Sequence, residues 1–183
     1  MAALLLAALV PLSAAWAGVP LAPKPIQICV GAFGFRGLPV VQQDAGAGAL
    51  YGLKAKALLF GPLGAEASYT HWTEGDAEFT AQGRPQKIEG GTQTATALNA
   101  ILKGPGLFGL GIYFTGGIGT YKLEKKSRDD ITHLGYNGGA GLELKVPMGL
   151  SAEAGGRLHV VPMKEGGARK FAALMIGVNY YIL

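Results

Sequence analysis

From about residue 26 onward, apolar side chains alternate with polar or small ones. In the stretch 141–154, GLELKVPMGLSAEA, leucine and alanine alternate with Glu143, Lys145, Ser151 and Glu153, and a Pro-Met-Gly break divides the run. Strict alternation of this kind marks two strands of a hairpin, each with one apolar and one polar face. The period is two almost everywhere, and no segment beyond residue 25 keeps a 3.6-residue apolar period for three turns. The pattern predicts eight strands, at 26–37, 48–60, 64–75, 88–102, 107–122, 131–146, 149–162 and 169–182.

The connections fall into two alternating kinds. Tight turns are expected at Gly61-Pro62-Leu63-Gly64, Lys103-Gly104-Pro105-Gly106 and Val146-Pro147-Met148-Gly149. Their prolines recur at nearly equal spacing, a weak internal repeat of the hairpin with its loop. The other connections are longer and polar, at 38–48, 75–89, 123–130 and 163–169. Short turns on one rim and charged loops on the other describe an up-and-down antiparallel array. Several strands exceed the common five or six residues, and about 9–11 tilted residues cross a hydrocarbon layer.

Alternation alone does not say which face is the core. In the run 131–146 the even positions hold Leu134, Tyr136, Leu142 and Leu144, and the odd ones His133, Asn137, Glu143 and several glycines. The run 149–162 sets Leu150, Ala152 and Leu158 against Ser151, Glu153, Arg157 and His159. The polar face is too rich in glycine for a solvated face, where glycine only weakens a strand. A narrow lumen explains it, because few large side chains fit inside an eight-stranded barrel. The apolar face mixes leucine and phenylalanine with many small residues, thin for a soluble core and sufficient against lipid. The fold class expected is therefore all-β, an eight-stranded antiparallel up-and-down transmembrane β-barrel over residues 26–183. In lipid its first and last strands must pair, because an open edge would leave backbone groups unsatisfied.

Composition sharpens this. The 183 residues are 49% hydrophobic but only 15% charged, with 30 glycines. The net charge of +4 raises the question of nucleic acid. The basic residues are scattered without interleaved aromatics, so no nucleic-acid partner is expected. The single Cys29 excludes a disulfide within the chain. Residues 1–17, MAALLLAALVPLSAAWA, read as a signal peptide with cleavage after Ala17, and 18–25 as a proline-stiffened lead-in. Export of this kind implies a bacterial periplasmic, outer-membrane or extracellular destination, and for a lipid-facing barrel the expectation is the outer membrane of the bacterial cell envelope.

Charges inside a lumen need partners. Lys54, Lys56, Glu66, Glu143, Lys145, Glu153 and Arg157 are the residues expected to form a polar network plugging it. The competing expectation leaves those nearest the turns in periplasmic water, where a pair contributes at most about 1 kcal/mol. Tyr69, His71, Trp72, Tyr136 and Tyr180 are expected in aromatic belts at the membrane interfaces.

The leader, the alternation, the short-turn and long-loop pattern and the final strand FAALMIGVNYYIL together resemble the small eight-stranded outer-membrane β-barrels. These comprise the transmembrane domain of outer membrane protein A and its single-domain relatives. The resemblance covers essentially residues 25–183. It implies a porin-like membrane protein, a monomer among outer-membrane lipids, assembled by the barrel-assembly machinery. The last strand looks like the family's assembly signal, although Ile182 and Leu183 follow the tyrosines where an aromatic residue normally ends it.

No enzyme, cofactor or metal is expected. The lipid A deacylases among small barrels set His and Ser two apart on a strand, and His71-Trp72-Thr73 has threonine instead. His133 and His159 share the polar parity of neighbouring strands and are expected to meet as a hydrogen-bonded lumen pair, since two histidines alone make a poor metal site. The function expected is structural or surface-interacting. The alternatives are a narrow ion or small-solute channel and a soluble, lipocalin-like ligand-binding barrel.

Overall fold

A computed structural model describes residues 26–40, 46–60, 62–81, 84–125, 128–163 and 166–182. The expected signal peptide and lead-in lie outside the described residues. The alternating segments form β1 (Gln27–Pro39), β2 (Gly48–Phe60), β3 (Leu63–Thr73), β4 (Ala77–Ala81), β5 (Arg84–Ile88), β6 (Thr92–Leu107), β7 (Leu110–Lys125), β8 (Arg128–Lys145), β9 (Leu150–Pro162) and β10 (Ala168–Tyr181). Eight of these close into one antiparallel barrel, in the order β1-β2-β3-β6-β7-β8-β9-β10. Closure is made by β10 against β1, in register from Cys29↔Tyr181 to Pro39↔Phe171. Every barrel strand is thereby paired on both sides, as a hydrocarbon surround demands.

Two expectations about connections are corrected. The turn expected at Lys103–Gly106 lies further on. Strand β6 runs through that segment, slips register between Lys103 and Gly106, and reverses at Phe108-Gly109. Pro105 has no N–H to offer the ladder, so it sits at the irregularity rather than in the turn. Phe108 (φ 51°) and Gly109 (φ 84°) are both left-handed. A two-residue hairpin matches the twist of its strands in that conformation. The second correction concerns the loop rim. Segment 75–89 contains the β4–β5 hairpin, and segment 123–130 is largely the continuation of β7 and β8, which stay paired to Lys125↔Arg128. With 18 residues, β8 is longer than a membrane crossing needs.

The two faces follow the sequence parity. Leu53, Leu98, Ile118, Leu134, Ile176 and Val178 are all more than half exposed on the outer surface. Serine, asparagine, glutamate, lysine and arginine are buried inside. A soluble monomer rarely exposes so extensive an apolar surface. The molecule is inside out relative to a water-soluble barrel, and its outer band is a lipid-facing surface.

Candidate functional site

The interior has two halves, set by which positions along the strands carry polar side chains. The half nearer the short turns is charged. The end of β9 that leaves the Val146–Gly149 turn supplies Ser151, Glu153 and, further up, Arg157, all on the inward parity. Glu153 accepts from Lys56 Nζ at 2.7 Å and Asn179 Nδ2 at 3.0 Å, and it is ion-paired with Lys54 as well. Glu66 accepts from Arg157 Nη2 at 2.7 Å and Asn99 Nδ2 at 2.9 Å. Glu143 accepts from Lys103 Nζ at 2.5 Å, Tyr181 OH at 2.6 Å and Ser151 Oγ at 2.7 Å. Each carboxylate is thus held by several donors from different strands. That arrangement is what offsets the several kcal/mol of desolvation per buried ion.

Lysine stems add a second contact. Lys54 Nζ lies 5.1 Å from the Phe33 ring centroid and Lys56 Nζ 5.1 Å from that of Tyr113, inside the range of cation–π attraction. Glycines make room for these rings. A Cβ on Gly141 would sit 2.6 Å from the Tyr113 ring.

The half nearer the long loops is aromatic. Trp72, Tyr121, His159, Val161, Phe171 and Met175 come from β3, β7, β9 and β10 and are buried together. The Trp72 and Phe171 rings are 4.7 Å apart, and His159 stacks on Phe171 at 4.4 Å with an interplanar angle of 2°. Tyr121 OH and His159 Nδ1 are hydrogen-bonded at 2.9 Å. Above this layer, Arg169 Nη2 pairs with Glu74 Oε1 at 3.1 Å. The charged half therefore faces the short-turn rim, with the packed rings between it and the loop rim.

Of the expected network residues, Lys54, Lys56, Glu66, Glu143, Glu153 and Arg157 lie together in the lumen. Lys145 does not join them. It is exposed at the short-turn rim, where its Nζ donates to Gln27 Oε1 at 3.4 Å and lies 4.8 Å from the Tyr181 ring centroid. Tyr69, Tyr136 and Tyr180 face outward, and Tyr51 does too, its ring 4.8 Å from that of His71. Trp72 is corrected. It is 1% exposed and belongs to the aromatic layer of the lumen. Adjacent residues of a strand point to opposite faces, so Trp72 shares its face with Glu66, Ser68 and Thr70, and His71 shares the outer face with Tyr69.

The histidine pair is also corrected. His159 bonds Tyr121, and the cross-strand partner of His159 on β8 is Asn137 rather than His133. Lys103 and Tyr181 are network members that reading the sequence missed. Lys103 was hidden in a supposed turn, and Tyr181 in the terminal tyrosine pair, although its odd parity marked it as inward.

No family model matches this chain, and no curated protein matches it. Among solved structures, it is similar to Neisserial surface protein A over 86% of this chain and 97% of that one, with a TM-score of 0.59 at 13% identity. It is equally similar to a major outer membrane protein from Thermus thermophilus, over 87% and 100% of the two chains, with a TM-score of 0.59 at 14% identity. Ail, the attachment invasion locus protein of Yersinia pestis, superposes over 86% of this chain and 97% of its own, with a TM-score of 0.54 at 15% identity. The fold is that of the small eight-stranded outer-membrane β-barrels.

Proposed function

We propose that this chain is an integral barrel of the bacterial outer membrane with a structural or surface-interaction role and a lumen that does not conduct. The observation that carries this reading is the inversion of the faces, a continuous apolar exterior around an ion-paired interior. That inversion argues against a soluble ligand-binding barrel, whose cavity would be lined by the apolar face. The aromatic layer argues against the channel, because Trp72, Tyr121 and Phe171 fill the lumen between the charged half and the loop rim. An even strand number puts both ends of the barrel on the short-turn side, which in this class is periplasmic, and the long loops at the cell surface. Two of the similar proteins are named for surface location and attachment, in keeping with a surface role here.

The reading is non-enzymatic. It has the barrel act as a monomer among outer-membrane lipids after insertion by the assembly machinery, with β10 as the recognition strand. Planar-bilayer recording tests the closed lumen, since the purified protein should give no discrete openings. Sustained openings in the unmodified protein would return the channel to first place. Unchanged envelope lipids after deletion of the gene support the non-enzymatic reading, and an altered lipid A would overturn it.

A further inference from the structure

Two short turns carry a large apolar side chain where solvent-facing turns carry glycine or asparagine. Phe108 between β6 and β7 is 96% exposed, and Met148 between β8 and β9 is 85% exposed. Both residues are left-handed, with φ of 51° and 67°. That region is unfavourable for any side chain other than glycine, asparagine or aspartate. A position that keeps a bulky, strained and fully exposed side chain has a gain elsewhere to set against it.

The surroundings say what the gain is. No charged residue lies between Lys103 and Lys122 or between Lys145 and Glu153, so both turns are uncharged throughout. The loop-rim connections contrast sharply, as in 123–130, LEKKSRDD. On the flanking strands Leu107, Leu110, Ile112, Leu142, Leu144 and Val146 all face outward and exposed. The pairs Leu110↔Leu144 and Ile112↔Leu142 join the two hairpins side by side. Lys145 N donates to Gly109 O at 2.8 Å, which ties the turns to each other. On the outer face of β6 to β9 the apolar band therefore continues down to the turn tips, with the exposed Lys145 at the rim beside them.

We infer that the Phe108 and Met148 turns are membrane anchors, inserted in the interfacial region of the inner, phospholipid leaflet rather than standing in periplasmic water. Side chains of this kind bury apolar area at the headgroup–acyl boundary, and Phe108 joins Tyr180 in the lower belt. The inference rests on the membrane reading above, and the experiment separates the two. Phe108→Trp, Met148→Trp and, as a mid-band reference, Leu53→Trp are each reconstituted in phosphatidylcholine vesicles brominated near the glycerol end of the acyl chains. Indole fluorescence is taken as the difference from the parent protein, which keeps Trp72. All three new signals should be quenched by bromine and protected from aqueous iodide. Quenching by iodide at the two turns, with Leu53→Trp still protected, would overturn the anchors alone. Loss of protection at all three would overturn the membrane reading too.

Phe108→Asn gives a second test by its sign. Asparagine tolerates the left-handed backbone, so a turn tip in water should be stabilised by this change. An anchored tip should be destabilised, with a lower urea midpoint for unfolding from vesicles. A raised midpoint would contradict the anchor.

Discussion

Glu153 is the residue on which the charged half of the lumen turns. It holds Lys54 and Lys56 at once and takes Asn179 as a third donor. Removing it leaves two buried lysines without their carboxylate, and breaking a buried pair from one side costs about 3–5 kcal/mol. Glu153→Ala should therefore lower unfolding stability by at least that order, measured by urea titration from lipid vesicles. Lys54→Met should cost far less or stabilise, because Lys56 keeps the carboxylate and the methionine stem still packs on Phe33. Equal losses in the two variants would mean that the lumen is wetter than its geometry implies.

The period-two parity was enough to place six of these charged residues in one lumen. It was not enough to say which carboxylate meets which cation. Register across strands distant in sequence decides that, and alternation does not encode register. Trp72 was legible too, but grouping it by residue type with Tyr69 overrode a parity that pointed inward.

Each strand is shaped by what its inner face must accommodate. On β8, glycine alternates with lumen residues because rings from β7 lie across it. A Cβ on Gly135 would sit 2.8 Å from both the Tyr121 ring and Val160 O. Gly135→Ala should cost about 1–3 kcal/mol as overpacking, read as a lower urea midpoint. The outward-facing Gly138 meets nothing closer than 3.8 Å, so Gly138→Ala should be close to neutral. A Gly135→Ala protein as stable as the Gly138→Ala one would show that Tyr121 has room to move.

Strand existence and pairing order were readable from alternation and from the two kinds of connection. The β6–β7 turn was not, because Gly-Pro-Gly is the stronger sequence signal for a turn than Phe-Gly. What selects the site is a two-residue left-handed hairpin that fits the strand twist, with the proline accommodated at a bulge. The sheet extension above the membrane was also hidden, since a charged segment such as Lys122–Arg128 reads as a loop until its hairpin pairing is seen.

Taken whole, the molecule is a barrel whose lumen holds two different layers, ion pairs below and stacked rings above, and on the reading proposed here the rings are the barrier to passage. The upper layer is the sharper test of closure. Trp72→Ala with Phe171→Ala removes two interlocked rings, and the double variant should show small discrete conductances in planar bilayers where the parent is silent. A double variant as silent as the parent would mean that the ion-paired half closes the lumen unaided.

Beneath all of this lies the claim that the apolar face meets lipid and the polar face lines the inside. The measurement that tests it most directly is the gel mobility of the protein from membrane fractions in dodecyl sulfate, with and without boiling. A closed lipid-facing barrel keeps its fold in the detergent until heated, so the unboiled and boiled samples should run at different positions. A single position in both, with the protein recovered in the aqueous phase without detergent, would contradict the account.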